Sequence, residues 1–127
     1  MGSIGTTNKG NIQNILPQLP KDEKQIIDEK VRGVEDQLYN APVKTVSLDN
    51  TFYSMQPTLR QESVDYVLSH DVDEPIILIK TDNAYIIGDG NHRMLKATMD
   101  GSKTIQARVT TLKQLDNLKK KNKKNKL

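Results

Sequence analysis

With 127 residues, 35% hydrophobic, 28% charged and 4% aromatic, the chain has material for one core, built mainly on Ile, Leu and Val. The absence of cysteine excludes a disulfide framework, a thiolate nucleophile and a cysteine-based zinc site, and two histidines, His70 and His92, are too few for a His-rich metal centre. Seven of the 19 Lys and Arg residues are lysines between positions 113 and 126, against one acid there, Asp116, so residues 1–112 carry a net charge of −3 and the remainder +6; the pI of 9.1 therefore describes a tail suited to salt-sensitive contact with polyanions, not a basic domain.

Residues 1–19 are rich in Gly, Asn, Thr and Gln without periodicity and predict a flexible leader. Met1 to Thr6 formally fits an N-myristoylation pattern, but a flexible start is the simpler reading. No signal-peptide core follows the start, and no apolar run approaches the ~20 residues that span a bilayer, so a cytoplasmic protein with no membrane partner is expected. Over 20–40 the spacing predicts one N-terminal helix, opened by Pro20, with Ile26, Ile27, Lys30, Val31, Val34 and Leu38 on a stripe. Gly33 weakens it, so the helix should lean on the body.

Val43 to Leu48 predicts a strand and Asp49 to Gln56 a loop. Pro57 opens a helix through His70, with Leu59, Val64, Val67 and Leu68 inward. After the acidic turn 71–74, Ile76 to Ile79 is a continuous apolar run typical of a buried strand. Thr81 to Asn83 makes a hairpin-like turn into the strand Ala84 to Ile87, which Gly88 to Asn91 breaks. A short helix over His92 to Met99 stops at Asp100-Gly101. Thr104 to Val109 is a last strand, and Thr110-Thr111 can cap a helix carrying Leu112, Leu115 and Leu118 that dissolves into the lysine tail, 113–127. Interleaved strands and helices predict a small α+β domain over 43–112, with the N-terminal helix and basic tail as appendages.

One stretch carries chemistry: Ile86-Ile87-Gly88-Asp89-Gly90-Asn91-His92-Arg93. A buried strand runs through two glycines into a helix start, where unpaired N–H groups and the helix dipole favour an anion. Arg93 adds a planar fork for phosphate oxygens and His92 a second donor. The plain alternative carries equal weight: Asp-Gly and Gly-Asn are ordinary turn pairs, and Asn91 is a good N-cap.

At these residues the sequence resembles the ParB/sulfiredoxin superfamily, from about Val43 to Leu112. ParB-like domains write the turn Gly-Glu-Arg-Arg, where this chain has Gly90-Asn91-His92-Arg93, with the small residue Ala97 following. Sulfiredoxins write Gly-Gly-Cys-His-Arg, against Asp89-Gly90-Asn91-His92-Arg93, and regulators of DNA phosphorothioation write Asp-Gly-Gln-His-Arg. The resemblance implies a small mixed sheet with packed helices. It further implies ATP or CTP, with Mg²⁺, held by Gly88, Gly90, Asn91, His92 and Arg93, and by Arg60 and Ser63 in the places of a sulfiredoxin Lys and Ser. Asn91 replaces the sulfiredoxin cysteine, so sulfinic acid reduction is excluded, and it also replaces the ParB carboxylate.

Three functions are open to such a chain. The leading one is a nucleotide- or nucleic-acid-phosphate-binding ParB-like protein, as in a phage, plasmid or other mobile element, with Lys119, Lys120, Lys121, Lys123 and Lys124 adding nucleic-acid contact. The second is a metal-dependent DNase of the ParB-like type, with Asp89 and His92 catalytic. The third is a non-catalytic protein-binding or inhibitory module that reuses the fold, with a protein partner or a second copy held through the N-terminal helix. Asp71, Asp73 and Glu74 could gather a divalent cation, but an acidic turn of this kind is ordinarily solvated and no metal site is assigned.

Overall fold

The computed structural model describes residues 10–70 and 73–125, with side chains through Lys121. In chain order the elements are β1 (Asn11–Gln13), α1 (Lys21–Val31), α2 (Glu35–Leu38), β2 (Val43–Ser47), β3 (Phe52–Tyr53), β4 (Thr58–Arg60), α3 (Gln61–Ser69), β5 (Ile76–Lys80), β6 (Tyr85–Asp89), α4 (Asn91–Met99), β7 (Thr104–Thr111) and α5 (Leu112–Asn125). Five strands form one sheet in the order β2-β7-β5-β6-β3, and β1 and β4 form a separate antiparallel pair. The sheet is mixed: β5 runs parallel to β7 and antiparallel to β6, while β3 runs parallel to β6. The fold class is α+β.

The apolar run in β5 explains the layering. Ile76, Ile77, Leu78 and Ile79 are each at most 2% exposed, which requires cover on both faces. On one face Ile76, Leu78, Ile87 and Val109 meet Leu16, Phe52 and Met94 of α4. On the other Ile77, Ile79 and Ile86 meet Ile27 of α1, Val34, Leu38 of α2 and Leu115 of α5. Full burial of a side chain such as Leu115 contributes about 1.5–3 kcal/mol. A third cluster joins Leu59 of β4, Val64 of α3 and Leu95 of α4, with Ile12 of β1 against it.

Several expectations are corrected by tertiary pairing. The helix over 20–40 is two helices, because the chain turns through Gly33 at φ +84°, a left-handed conformation that glycine adopts without a Cβ penalty. Ile26, expected on the buried stripe, is exposed, whereas Ile27, Val34 and Leu38 are buried. Within the expected leader, Asn11–Gln13 pairs with β4 and Asn14 and Leu16 are buried. Thr58 to Arg60 is strand and not helix because its partner is β1, so Leu59 is buried from a strand, and Leu68 is exposed. Phe52–Tyr53, expected in a loop, is an edge strand.

β6 continues through Gly88 to Asp89 instead of breaking at Gly88. β7 extends to Thr111, where a capping box starts α5: Gln114 N–H donates to Thr111 Oγ1 at 3.1 Å, and Thr111 N–H donates to Gln114 Oε1 at 3.0 Å. Nor are α1 and α5 appendages. Leu115 is fully buried between them and the sheet, and Lys30 pairs with Asp116 at 2.9 Å. The myristoylation pattern at Met1 to Thr6 and Asp71 of the acidic turn lie outside the described residues, as do the side chains of Lys123 and Lys124. Among the described residues no helix is long and apolar enough to cross a membrane.

Candidate functional site

The local geometry begins with a bulge. Ile77 pairs with Asp89 but Leu78 pairs with Ile87, so Gly88 is the extra residue of β6. Such a bulge bends a strand and re-aims the residues beyond it. A Cβ on Gly88 would stand 3.2 Å from Ile77 Cγ2. Gly90 is more constrained still. Its φ is +101°, and a Cβ there would lie 2.5 Å from Ile76 Cγ2 and 2.7 Å from Ile76 Cβ. Only glycine lets β6 turn into α4 this closely over β5.

α4 therefore starts at Asn91, one residue earlier than expected, and Asn91 is its first helical residue and not its cap. Among the described residues no side chain caps this end, and the first internal bond is Met94 N–H to Gly90 O at 2.9 Å. The amides of the first turn, with the positive end of the helix dipole, are left to face whatever occupies the space before them.

That space is a cleft of about 360 Å³ between α3 and the β6–α4 turn. Asp89, Gly90, Asn91, His92 and Arg93 line one wall, and Gln56, Glu62, Ser63, Tyr66 and Val67 line the other. Of the predicted phosphate-binding residues, Gly90, Asn91, His92 and Arg93 thus line a concavity with Ser63 opposite them, whereas Gly88 and Arg60 do not line it. Tyr66 is 56% exposed and stacks on His70, with ring centroids 4.0 Å apart.

The charged side chains divide in role. Arg93 has a side chain only 17% exposed. Its Nη1 donates to the carbonyls of Glu74 at 2.8 Å and Pro75 at 3.2 Å, so this arm of the expected phosphate fork anchors α4 to the chain entering β5. Nη2 stays at the turn, 3.9 Å from Asp89 Oδ2. The Tyr39 hydroxyl donates to Asp89 Oδ2 at 3.0 Å. That bond to the carboxylate, aided by burial, raises the Tyr39 hydroxyl above its usual pKa. Asp89 is thereby partly compensated from two sides.

Burial pushes the His92 imidazole below its ordinary pKa of 6.5, outweighing the opposing pull of Asp89, and its Nε2 is buried without a hydrogen-bond partner among the described residues. His92 is accordingly neutral near pH 7. Arg60 ends β4 and does not share a helical face with Ser63; its guanidinium pairs with Glu62 at 3.1 Å and is largely exposed. Its charge is nevertheless close enough to favour neutral His92.

The lysines are on another part of the molecule. α4 packs on one face of the sheet and α5 on the opposite face. Lys119, expected to contact nucleic acid, donates to the backbone oxygen of Glu29, while Lys120 and Lys121 are exposed.

Asn91 is 4% exposed, and its Oδ1 accepts a 2.6 Å hydrogen bond from Ser54 Oγ. Ser54 itself is fully buried. Sequence reasoning missed Ser54, and it missed Gln56, Glu62 and Tyr66 on the cleft wall; a polar residue beside Phe52-Tyr53 carries no local signal of a buried role. Among the described residues no group of three or more His, Cys, Asp or Glu side chains is placed to hold a metal ion. Comparison with protein-family models and with curated proteins finds no match to this chain.

Proposed function

We propose that the cleft binds phosphate groups of a nucleotide or of a nucleic acid strand, the function implied by the resemblance of Asp89 to Arg93 to the ParB/sulfiredoxin superfamily. The observation that carries this reading is the uncapped first turn of α4, opened by Gly90 at φ +101° onto a cleft of about 360 Å³. First-turn amides, the Ser63 hydroxyl and the neutral His92 ring supply donors for phosphate oxygens, and Arg93 adds positive charge while anchoring the turn. The exposed ring of Tyr66 offers a surface for a base, which favours a nucleotide over inorganic phosphate.

The residues present do not fit a resident Mg²⁺. Asp89 is already bonded to Tyr39, and Glu62 to Arg60; a cation brought by a triphosphate would have to be held chiefly by the phosphates. The metal-dependent DNase reading receives no donor set of its own from the cleft.

Calorimetric titration of ATP, CTP and short single-stranded DNA into the wild type and into Ser63→Ala and Tyr66→Ala tests the proposal. These positions are preferable to Arg93→Ala, which would also remove an anchor between α4 and β5. Wild-type binding that weakens in both variants supports the cleft. Failure of the wild type to bind any of the three ligands, or equal binding by all three proteins, overturns it.

A further inference from the structure

The direction of every hydrogen bond in a buried polar chain is set by backbone groups that cannot reverse. Leu16 N–H can only donate, and it donates to Asn14 Oδ1 at 3.0 Å. The carbonyl of Gln56 can only accept, and it accepts from Asn14 Nδ2 at 2.8 Å. The amide of Asn14 is thereby oriented, so its Nδ2 also donates to Ser54 Oγ at 2.9 Å. Ser54 Oγ accepts a second time, from Gln56 N–H at 3.1 Å.

With both lone pairs taken, the Ser54 hydroxyl has only its proton left to give. The Gln56 carbonyl lies 3.4 Å away and already accepts from Asn14 and Gln18. Asn91 Oδ1 lies at 2.6 Å. The proton therefore goes to Asn91, which turns Oδ1 toward Ser54 and Nδ2 to the opposite side. Among the described residues Asn91 Nδ2 has no hydrogen-bond partner, yet His92 Nε2 is the one fully buried side-chain N or O atom there without one. Asn91 Nδ2 thus keeps an opening, and the space that Asn91 lines is the cleft.

We infer that Asn14 and Ser54 are positioning residues that lock Asn91 as a hydrogen-bond donor into the cleft, making the site select acceptor-rich anions such as phosphate over cations. This rests on the phosphate-binding reading above and specifies how one of its residues acts. An unlocked asparagine could present either end of its amide to a ligand. Here the carbonyl end is engaged at 2.6 Å, and only the NH₂ is offered.

Side-chain NH₂ resonances in ¹H–¹⁵N spectra test this, with sodium pyrophosphate and ATP as probes. Asn91→Asp identifies the Asn91 pair by its loss, and Ser54→Ala removes the lock. On titration the Asn91 NH₂ pair should shift in the wild type while the Asn14 pair stays in place. Asn91→Asp should keep the fold, since Ser54 still finds an oxygen, but should lose about tenfold or more in affinity for either anion. Ser54→Ala should weaken binding less than Asn91→Asp, because a freed amide still reaches the donor state part of the time.

If the backbone amides of His92 and Arg93 shift with ATP but the Asn91 NH₂ pair does not, the anion binds without the locked donor and the inference falls alone. Full affinity in Asn91→Asp has the same meaning. If neither the backbone amides nor the Asn91 pair responds to either anion, the phosphate-binding reading falls and takes the inference with it.

Discussion

The two faces of the central sheet are stabilised by different means. The face under α1, α2 and α5 is closed by apolar side chains, with Leu115 at its centre and Lys30–Asp116 at its margin. The face carrying α4 has an apolar cluster as well, but its margin is a buried polar chain from Asn14 through Ser54 to Asn91. Apolar contact is non-directional and tolerant, so it fixes where layers sit; hydrogen bonds are directional, so they fix which atom of a side chain faces a cleft. The chain uses the first to hold its sheet and the second to shape the candidate site.

Substitutions on each face should separate these roles. Leu115→Ala removes a fully buried side chain and should cost about 2–5 kcal/mol in urea unfolding, while ATP affinity of the remaining folded protein stays at the wild-type value. A loss of affinity there would mean the faces are coupled. Gly90→Ala should cost about 2–4 kcal/mol, combining left-handed strain with overlap on Ile76, and should abolish binding because the β6–α4 turn must shift.

Ser54→Ala sharpens the contrast. Loss of its hydroxyl leaves Asn14 Nδ2, Gln56 N–H and Asn91 Oδ1 without that partner and should cost about 1–3 kcal/mol. Unlike Leu115→Ala, it should change binding and stability together. The smallest effect is expected at His92. Its folded pKa is lowered, so below its ordinary value near 6.5 the unfolded chain takes up a proton that the folded chain resists. Stability contributed by neutral His92 is therefore present above that value and lost as pH falls through the folded pKa. Urea midpoints recorded from about pH 7.5 down to about pH 5 should fall less in His92→Gln than in the wild type.

The features readable in the sequence were local ones. The four-residue apolar run of β5, the Asp100-Gly101 stop, the Thr111 cap and the glycine turn at 88–90 each depend on residues within a few positions of one another. The anion site expected at that turn does have a concavity beside Gly90, whereas Ser63 on its far wall was named only through the family resemblance. The partners of Asn91 did not, because Ser54 lies 37 positions away and Asn14 another 40 before that. Three-residue strands such as β1 and β4 are too short for a period to emerge, and their pairing is what converts an apparent leader and an apparent helix start into structure. Arg93 carried a legible charge, but its anchoring bonds run to backbone carbonyls, which no side-chain pattern encodes.

The pairing of β1 with β4 has a practical consequence for handling the protein. Asn14 sits just beyond β1 in a stretch whose composition invites trimming, and a protease nick between it and Lys21 would sever the polar chain's origin from the rest of the polypeptide. A shortened version beginning at Pro20 would retain the sheet's sequence but arrive with a slack asparagine at the mouth of the cleft. Intact mass should therefore be verified before any negative binding result is interpreted.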